Sequence, residues 1–133
     1  MKTLGIAYAG TLISFLLIDA IWLGVVAKNF YREQLGDMML PSPNFVVAAL
    51  FYLFFAVAIV ILAVRPGIEA GSIWTSIGYG AILGLAAYGT YDMTNLSTLK
   101  GWPVALTIVD LAWGTALTAA TSACGHAAVR QFG

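Results

Sequence analysis

Residues Pro43–Val64 read PNFVVAALFYLFFAVAIVILAV, a run of 22 positions without a charged side chain. A helix of about 20 apolar residues crosses the hydrocarbon core of a bilayer, and this run meets that length. Three further stretches do the same: Leu4–Ala27 before it, Ile73–Asn95 and Pro103–Val129 after it. Only 9% of the 133 residues are charged, against 61% hydrophobic. Soluble domains carry about a quarter charged residues, and one of this size has no interior large enough for so much apolar surface. The expected fold is all-α, an integral membrane four-helix up-down bundle, with residues 1–133 forming a single transmembrane domain.

The connections fit that plan. Lys28 to Ser42 is the longest polar stretch and has room for a short interfacial helix, after which Pro43 suits the first turn of the next helix. Arg65-Pro66-Gly67 to Ser72 has turn chemistry, and Leu96 to Trp102 is equally short. Short links imply antiparallel neighbours. Four crossings put both termini on one side with the second connection. Lys2, Arg65 and Arg130 then face that side and Lys28, Arg32 and Lys100 the other, so the positive-inside count is tied. The free amino terminus tips it toward cytoplasmic termini. Lys2 followed by an apolar run ending in Val25-Val26-Ala27 has some features of a secretory signal. The run is long for one and contains Asp19, which favours a retained membrane helix.

Several function classes are excluded. There is no space for a separate soluble catalytic domain, so chemistry must sit within the bundle or at its surfaces. Six Lys/Arg spread singly form no phosphate-backbone patch, so nucleic acid is not an expected partner. One cysteine, Cys124, cannot form an internal disulfide, and its small-residue helix suggests ordinary packing. No HExxH, P-loop, GxSxG or Cys/His metal spacing is present. Gly80 and Gly84 form a GxxxG spacing extended by Ser76 and Tyr88, and Thr115 to Ala128 is rich in small residues. Both faces suit close helix contact, within the bundle first and between copies second.

Three of the six acidic residues, Asp19, Asp92 and Asp110, fall inside the expected spans. A carboxylate in the hydrocarbon region costs roughly 2.5–3.5 kcal/mol on insertion scales, so it normally faces a bundle interior or wet cavity. Counting inward at 1.5 Å per residue puts Asp19 about 12 Å and Asp110 about 10 Å from the same membrane face. Asp92 is shallower, and Tyr52 lies at a neighbouring depth. Tyr88, Asp92 and Asn95 share one helix face, flanked by Tyr91 and Thr94. Asp19-Ala-Ile-Trp22 and Asp110-Leu-Ala-Trp113 repeat one pattern, with each indole placed to donate to a carboxylate. The candidate catalytic residues are therefore Asp19, Asp92 and Asp110. Trp22, Tyr52, Tyr88, Tyr91, Thr94, Asn95 and Trp113 are the candidate ligand-binding residues. The competing reading is that these polar groups only join helices, each bond contributing about 0.6–2 kcal/mol. His126 and Trp74 read as interfacial, as do Trp102 and the Phe30-Tyr31 pair, although these last three lie on the aspartate side and could roof a cavity.

With Asp19-Ala-Ile-Trp-Leu-Gly, Phe30-Tyr31, Phe51-Tyr52, Thr90-Tyr91-Asp92-Met93-Thr94-Asn95, Trp102 and Asp110-Leu-Ala-Trp-Gly in view, the chain resembles the family designated domain of unknown function 2177 over essentially its full length. The Thr-Tyr-Asp-Met-Thr-Asn run is the most specific element. The resemblance implies a small bacterial four-span inner-membrane protein, and it associates such proteins with gene groups for membrane-lipid modification.

Three functions are then expected to compete. One is a lipid-modifying enzyme or lipid-binding accessory with membrane lipids as partners. Its aspartates would act as acid/base groups or as ligands of a hard divalent cation such as Mg²⁺ or Ca²⁺. Another is an oligomeric proton- or cation-coupled transporter. The third is a non-catalytic subunit of a homo-oligomer or larger membrane complex.

Overall fold

The computed structural model describes residues 2–40 and 44–133; the expectation for Pro43 lies outside them. Among the described residues the chain is all-α. Its five helices are α1 (Lys2–Val26), α2 (Phe30–Leu35), α3 (Phe45–Ala70), α4 (Ile73–Thr98) and α5 (Val104–Phe132). Helices α1, α3 and α5 are long and apolar enough to cross a membrane, so the protein is a helical membrane protein. Helix α4 has 26 residues, about 39 Å at 1.5 Å per residue. It is the more polar helix, holding Ser76, Tyr88, Asp92 and Asn95.

The short helix expected between the first two spans is α2, followed by a 3₁₀ turn at Gly36–Met38. Asn44 caps α3 by accepting a hydrogen bond from the Val47 N–H at 3.2 Å. The expected turn beginning at Arg65 is displaced, because α3 continues to Ala70. Val60–Val64 form a π turn in which the Arg65 N–H bonds back five residues to Val60 O. The widened turn accommodates Pro66, whose ring conflicts with a regular α-helical ladder. The chain reverses instead at Gly71, whose φ of 68° is left-handed and suits glycine. There the Ser72 N–H closes onto Gly67 O at 3.0 Å. Helix α4 likewise runs past Asn95 to Thr98, and α5 continues to Phe132.

The four long helices pack antiparallel in sequence order. Helix α1 lies between α3 and α5, and α4 lies against α5 and the C-terminal part of α3. The apolar core comprises Phe15, Phe55, Ile59, Val64 and Leu117 with smaller neighbours. Polarity is otherwise inverted relative to a soluble protein. Thr11, Ser76, Thr118, Thr121 and Ser122 are fully buried, whereas Val46, Phe54 and Trp74 are 71%, 68% and 76% exposed. Lipid tails give no hydrophobic drive between helices, so close contact of small residues does the joining.

The GxxxG spacing is used internally. A Cβ on Gly80 would lie 2.8 Å from Thr118 O, and one on Gly84 2.8 Å from the Thr118 Cβ. Gly10 meets Gly125 across α1 and α5, where an added Cβ would lie 3.6 Å from the Gly125 Cα. Cys124, expected in the packing, is exposed. His126, expected at the interface, is 2% exposed. Its Nδ1 is 2.9 Å from Ser76 Oγ. The close approach of Ser76 to Gly67, which a side chain there would block, draws α4 inward beside this histidine.

Gly84→Leu should therefore destabilise the protein by about 1–3 kcal/mol or more through overpacking. Gly78→Ala, where a Cβ meets nothing within 4 Å, should shift stability by no more than about 1 kcal/mol. Denaturant unfolding of both variants in one detergent checks the contrast.

Candidate functional site

The end of α1 sets the first wall. Its last turn, Trp22–Val26, is a π turn closed by the Ala27 N–H bonding to Trp22 O at 2.7 Å, a local widening often found beside functional sites. Trp22 points to α5, where its indole stacks on that of Trp113 with centroids 4.2 Å apart and planes 10° apart. Gly114 leaves room for the Tyr88 ring of α4, which a Cβ there would strike. These aromatics fill the space between helices that meet through small residues at the other end.

Between them lies a cavity of about 420 Å³, within the range of small-molecule sites. Asp19, Asp92 and Asp110 all line it, together with Trp22, Tyr52, Tyr88, Tyr91 and Trp113. Eight of the ten residues named from sequence thus share one cavity. Thr94 and Asn95 do not line it: Thr94 is exposed and Asn95 half-buried, and the Thr94 carbonyl accepts from the Ser97 and Thr98 hydroxyls. Residues outside that set also contribute. Lys28, Tyr31, Arg32 and Trp102 line the cavity, with Leu35, Met39 and Leu106 as apolar surface. Lys28 and Arg32 gave no sequence signal beyond their place in the first connection, since a connection's direction of approach is set by tertiary packing.

The carboxylates differ in their partners. Asp19 is 7% exposed. It accepts from the Tyr52 hydroxyl at 3.0 Å on one oxygen and from the Trp113 indole N–H at 3.3 Å on the other. Asp110 accepts from the Tyr31 hydroxyl at 2.9 Å, and that hydroxyl accepts from the Trp22 indole N–H at 3.1 Å. Each Trp of the repeated pattern therefore serves the carboxylate of the opposite helix rather than its own, Trp113 directly and Trp22 through Tyr31. Burial pushes the Tyr31 hydroxyl above its ordinary range, against the opposing effect of the Trp22 bond, and the Asp110 charge adds to the rise. Tyr31 thus stays protonated as a donor throughout the physiological range.

Asp92 stands apart. It is fully buried, and neither carboxylate oxygen has a hydrogen-bond partner. The Asp110 carboxyl group lies beside it. No group of three or more His, Cys, Asp or Glu among the described residues is arranged to hold a metal ion. The three aspartates share a cavity without forming such a group.

Tyr31→Phe removes the donor to Asp110 and the acceptor for Trp22 together. The expected loss is about 1–3 kcal/mol, with a change in tryptophan emission as the stacked indoles lose their anchor. Tyr79→Phe, at an exposed position, should stay within about 0.5 kcal/mol of the parent. Detergent unfolding followed by fluorescence reads both.

No curated protein and no solved structure matches the chain. A family model described as predicted membrane protein DUF2177 matches residues 4–127, which takes in all four long helices, the α2 connection and every aspartate of the cavity. The chain belongs to this family of predicted membrane proteins.

Proposed function

We propose that the protein binds the polar part of a membrane lipid in the aspartate cavity, as a lipid-modifying enzyme or a lipid-binding accessory of the bacterial inner membrane. In this reading α4 crosses the membrane with the other three long helices to complete a four-span up-down bundle, with both termini cytoplasmic. The observation that carries it is the convergence of Asp19, Asp92 and Asp110 with tyrosine and tryptophan side chains on one cavity of a membrane protein.

Magnitudes favour a site over simple helix joining. A hydrogen bond between membrane helices contributes about 0.6–2 kcal/mol, whereas a central carboxylate costs roughly 2.5–3.5 kcal/mol to insert. Asp92 meets part of that cost with no donor to either oxygen among the described residues. Within such a site Tyr31 and Tyr52 orient Asp110 and Asp19, leaving Asp92 as the carboxylate available to exchange a proton with, or hold, a bound group.

A second reading is proton or cation transport by an oligomer. It is favoured by the buried hydroxyls of Thr11 and Thr118, which have no partner. Flux in proteoliposomes that disappears on replacing Asp92 and His126 would support it.

Deleting the gene should change the membrane lipid profile, measured by mass spectrometry of lipid extracts. The wild-type gene should restore it, and Asp92→Asn should fail to do so at unchanged protein level. An unchanged profile in the deletion strain would remove the lipid reading. Loss of complex recovery alone would point to a non-catalytic subunit.

A further inference from the structure

The cavity has a direction of charge. Its buried wall holds the unpartnered oxygens of Asp92. Beside them is Asp110, which uses one oxygen for Tyr31 and whose carboxyl group adjoins Asp92. Lys28 and Arg32, both exposed, line the cavity from the end of α1 and from α2. The one ion pair among the described residues is Arg65–Glu69, far from the cavity. Lys28 and Arg32 thus face the cavity without a carboxylate partner.

A ligand matching this order carries a cation at its inner end and an anion at its outer end. The inner groups are more specific still. Buried carboxylate oxygens need hydrogen-bond donors, and a primary ammonium supplies three, whereas a trimethylammonium supplies none. Trp22, Trp113, Tyr52 and Tyr88 add aromatic surface to the lining, which favours a cation. A metal cation is the poorer match because no ligating trio is present among the described residues. At the outer end, an ammonium and a guanidinium side by side suit a phosphate. Both sit on the connection that leaves the helix end, the level at which a lipid phosphate ordinarily lies.

We propose that the cavity accepts the zwitterionic headgroup of an aminophospholipid, its phosphate against Lys28 and Arg32 and its primary ammonium turned inward to Asp92 and Asp110. This rests on the lipid-site reading above and names the lipid class. A phospholipid presents its phosphate next to the glycerol and its amine beyond it. A headgroup folding in from the interface therefore delivers the two charges in the order in which the cavity meets them. Leu23, Leu35 and Met39 give apolar surface where the glycerol and upper chains would pass.

The test uses the full chain purified in detergent and offered phosphatidylethanolamine, phosphatidylcholine and phosphatidylglycerol of matched acyl chains in equal amounts. Native mass spectrometry counts the lipids retained. The ethanolamine lipid should exceed both others by about tenfold or more, the discrimination that a single charge-assisted contact supplies. Asp92→Asn should abolish that preference. Lys28→Gln with Arg32→Gln, two exposed positions whose change does not disturb the core, should weaken retention of the ethanolamine and glycerol lipids alike. Equal or greater retention of phosphatidylglycerol by the wild type, or a preference that survives Asp92→Asn, overturns the proposal while leaving a lipid site in place. Retention of no phospholipid overturns the lipid-site reading as well. Binding of soluble glycerophosphoethanolamine without retention of any lipid overturns the lipid source and assigns the same amine–phosphate chemistry to a free headgroup.

Discussion

A carboxylate inside the hydrocarbon layer has no water to turn to, so every donor it receives must come from a neighbouring helix or from a bound molecule. In this protein that requirement organises one end of the helix packing. Asp19 draws Tyr52 of α3 and Trp113 of α5 toward α1, and Asp110 fixes Tyr31 of α2 and, through it, Trp22 of α1. Two of the three carboxylates thereby tie four helices together, and the short α2 is anchored to the membrane-embedded part by its own tyrosine. The third, on α4, is left out of the network. A layer serving only to join helices would give its most buried member at least one partner.

Stability comes chiefly from elsewhere. Glycines 80 and 84 bring the α4 backbone against Thr118 and Ser122 of α5, and Gly67 admits Ser76. Contacts this close multiply van der Waals attraction over many atoms, the main source of cohesion where lipid and protein interior are equally apolar. The seam also carries buried hydroxyls that bond to their own helix, such as Ser122 to Thr118 O at 2.7 Å. Those that bond in this way cost little to bury, whereas the Thr118 hydroxyl has no partner. The molecule separates a cohesive small-residue part from a polar aromatic part, and α5 belongs to both.

Much of this was legible in the sequence. The apolar runs announced long helices, three of them apolar enough to cross a membrane, and inward residue counts put Asp19, Asp92 and Asp110 at neighbouring depths; all three line one cavity. The Gly80–Gly84 spacing announced the α4–α5 contact. Other features were not local properties. The repeated Asp-x-x-Trp pattern suggested that each indole meets its own carboxylate, but stacking of Trp22 on Trp113 turns each toward the opposite helix. His126 lies late in α5 and looked interfacial, yet Gly67 and Ser76, distant in sequence, enclose it. Asn95 shares a helix face with Asp92 by spacing but does not line the cavity.

The same distribution of side-chain size explains why a cavity exists at all. Helices α1 and α5 meet through Gly10 and Gly125 near the terminal end, a contact with almost no side-chain volume between the backbones. Some ten residues further along α1 the space between the same two helices is filled by two stacked indoles, and Tyr88 is laid over Gly114 from α4. Helices that meet through glycines at one end and through aromatic rings at the other leave more room at the second. The wedge opens where the carboxylates are, and the π turn at Trp22–Val26 brings Ala27 and Lys28 to its rim. Glycine at one end and tryptophan at the other are therefore two parts of one device: the first fixes the helices relative to one another, and the second converts that fixed geometry into an opening lined with acid.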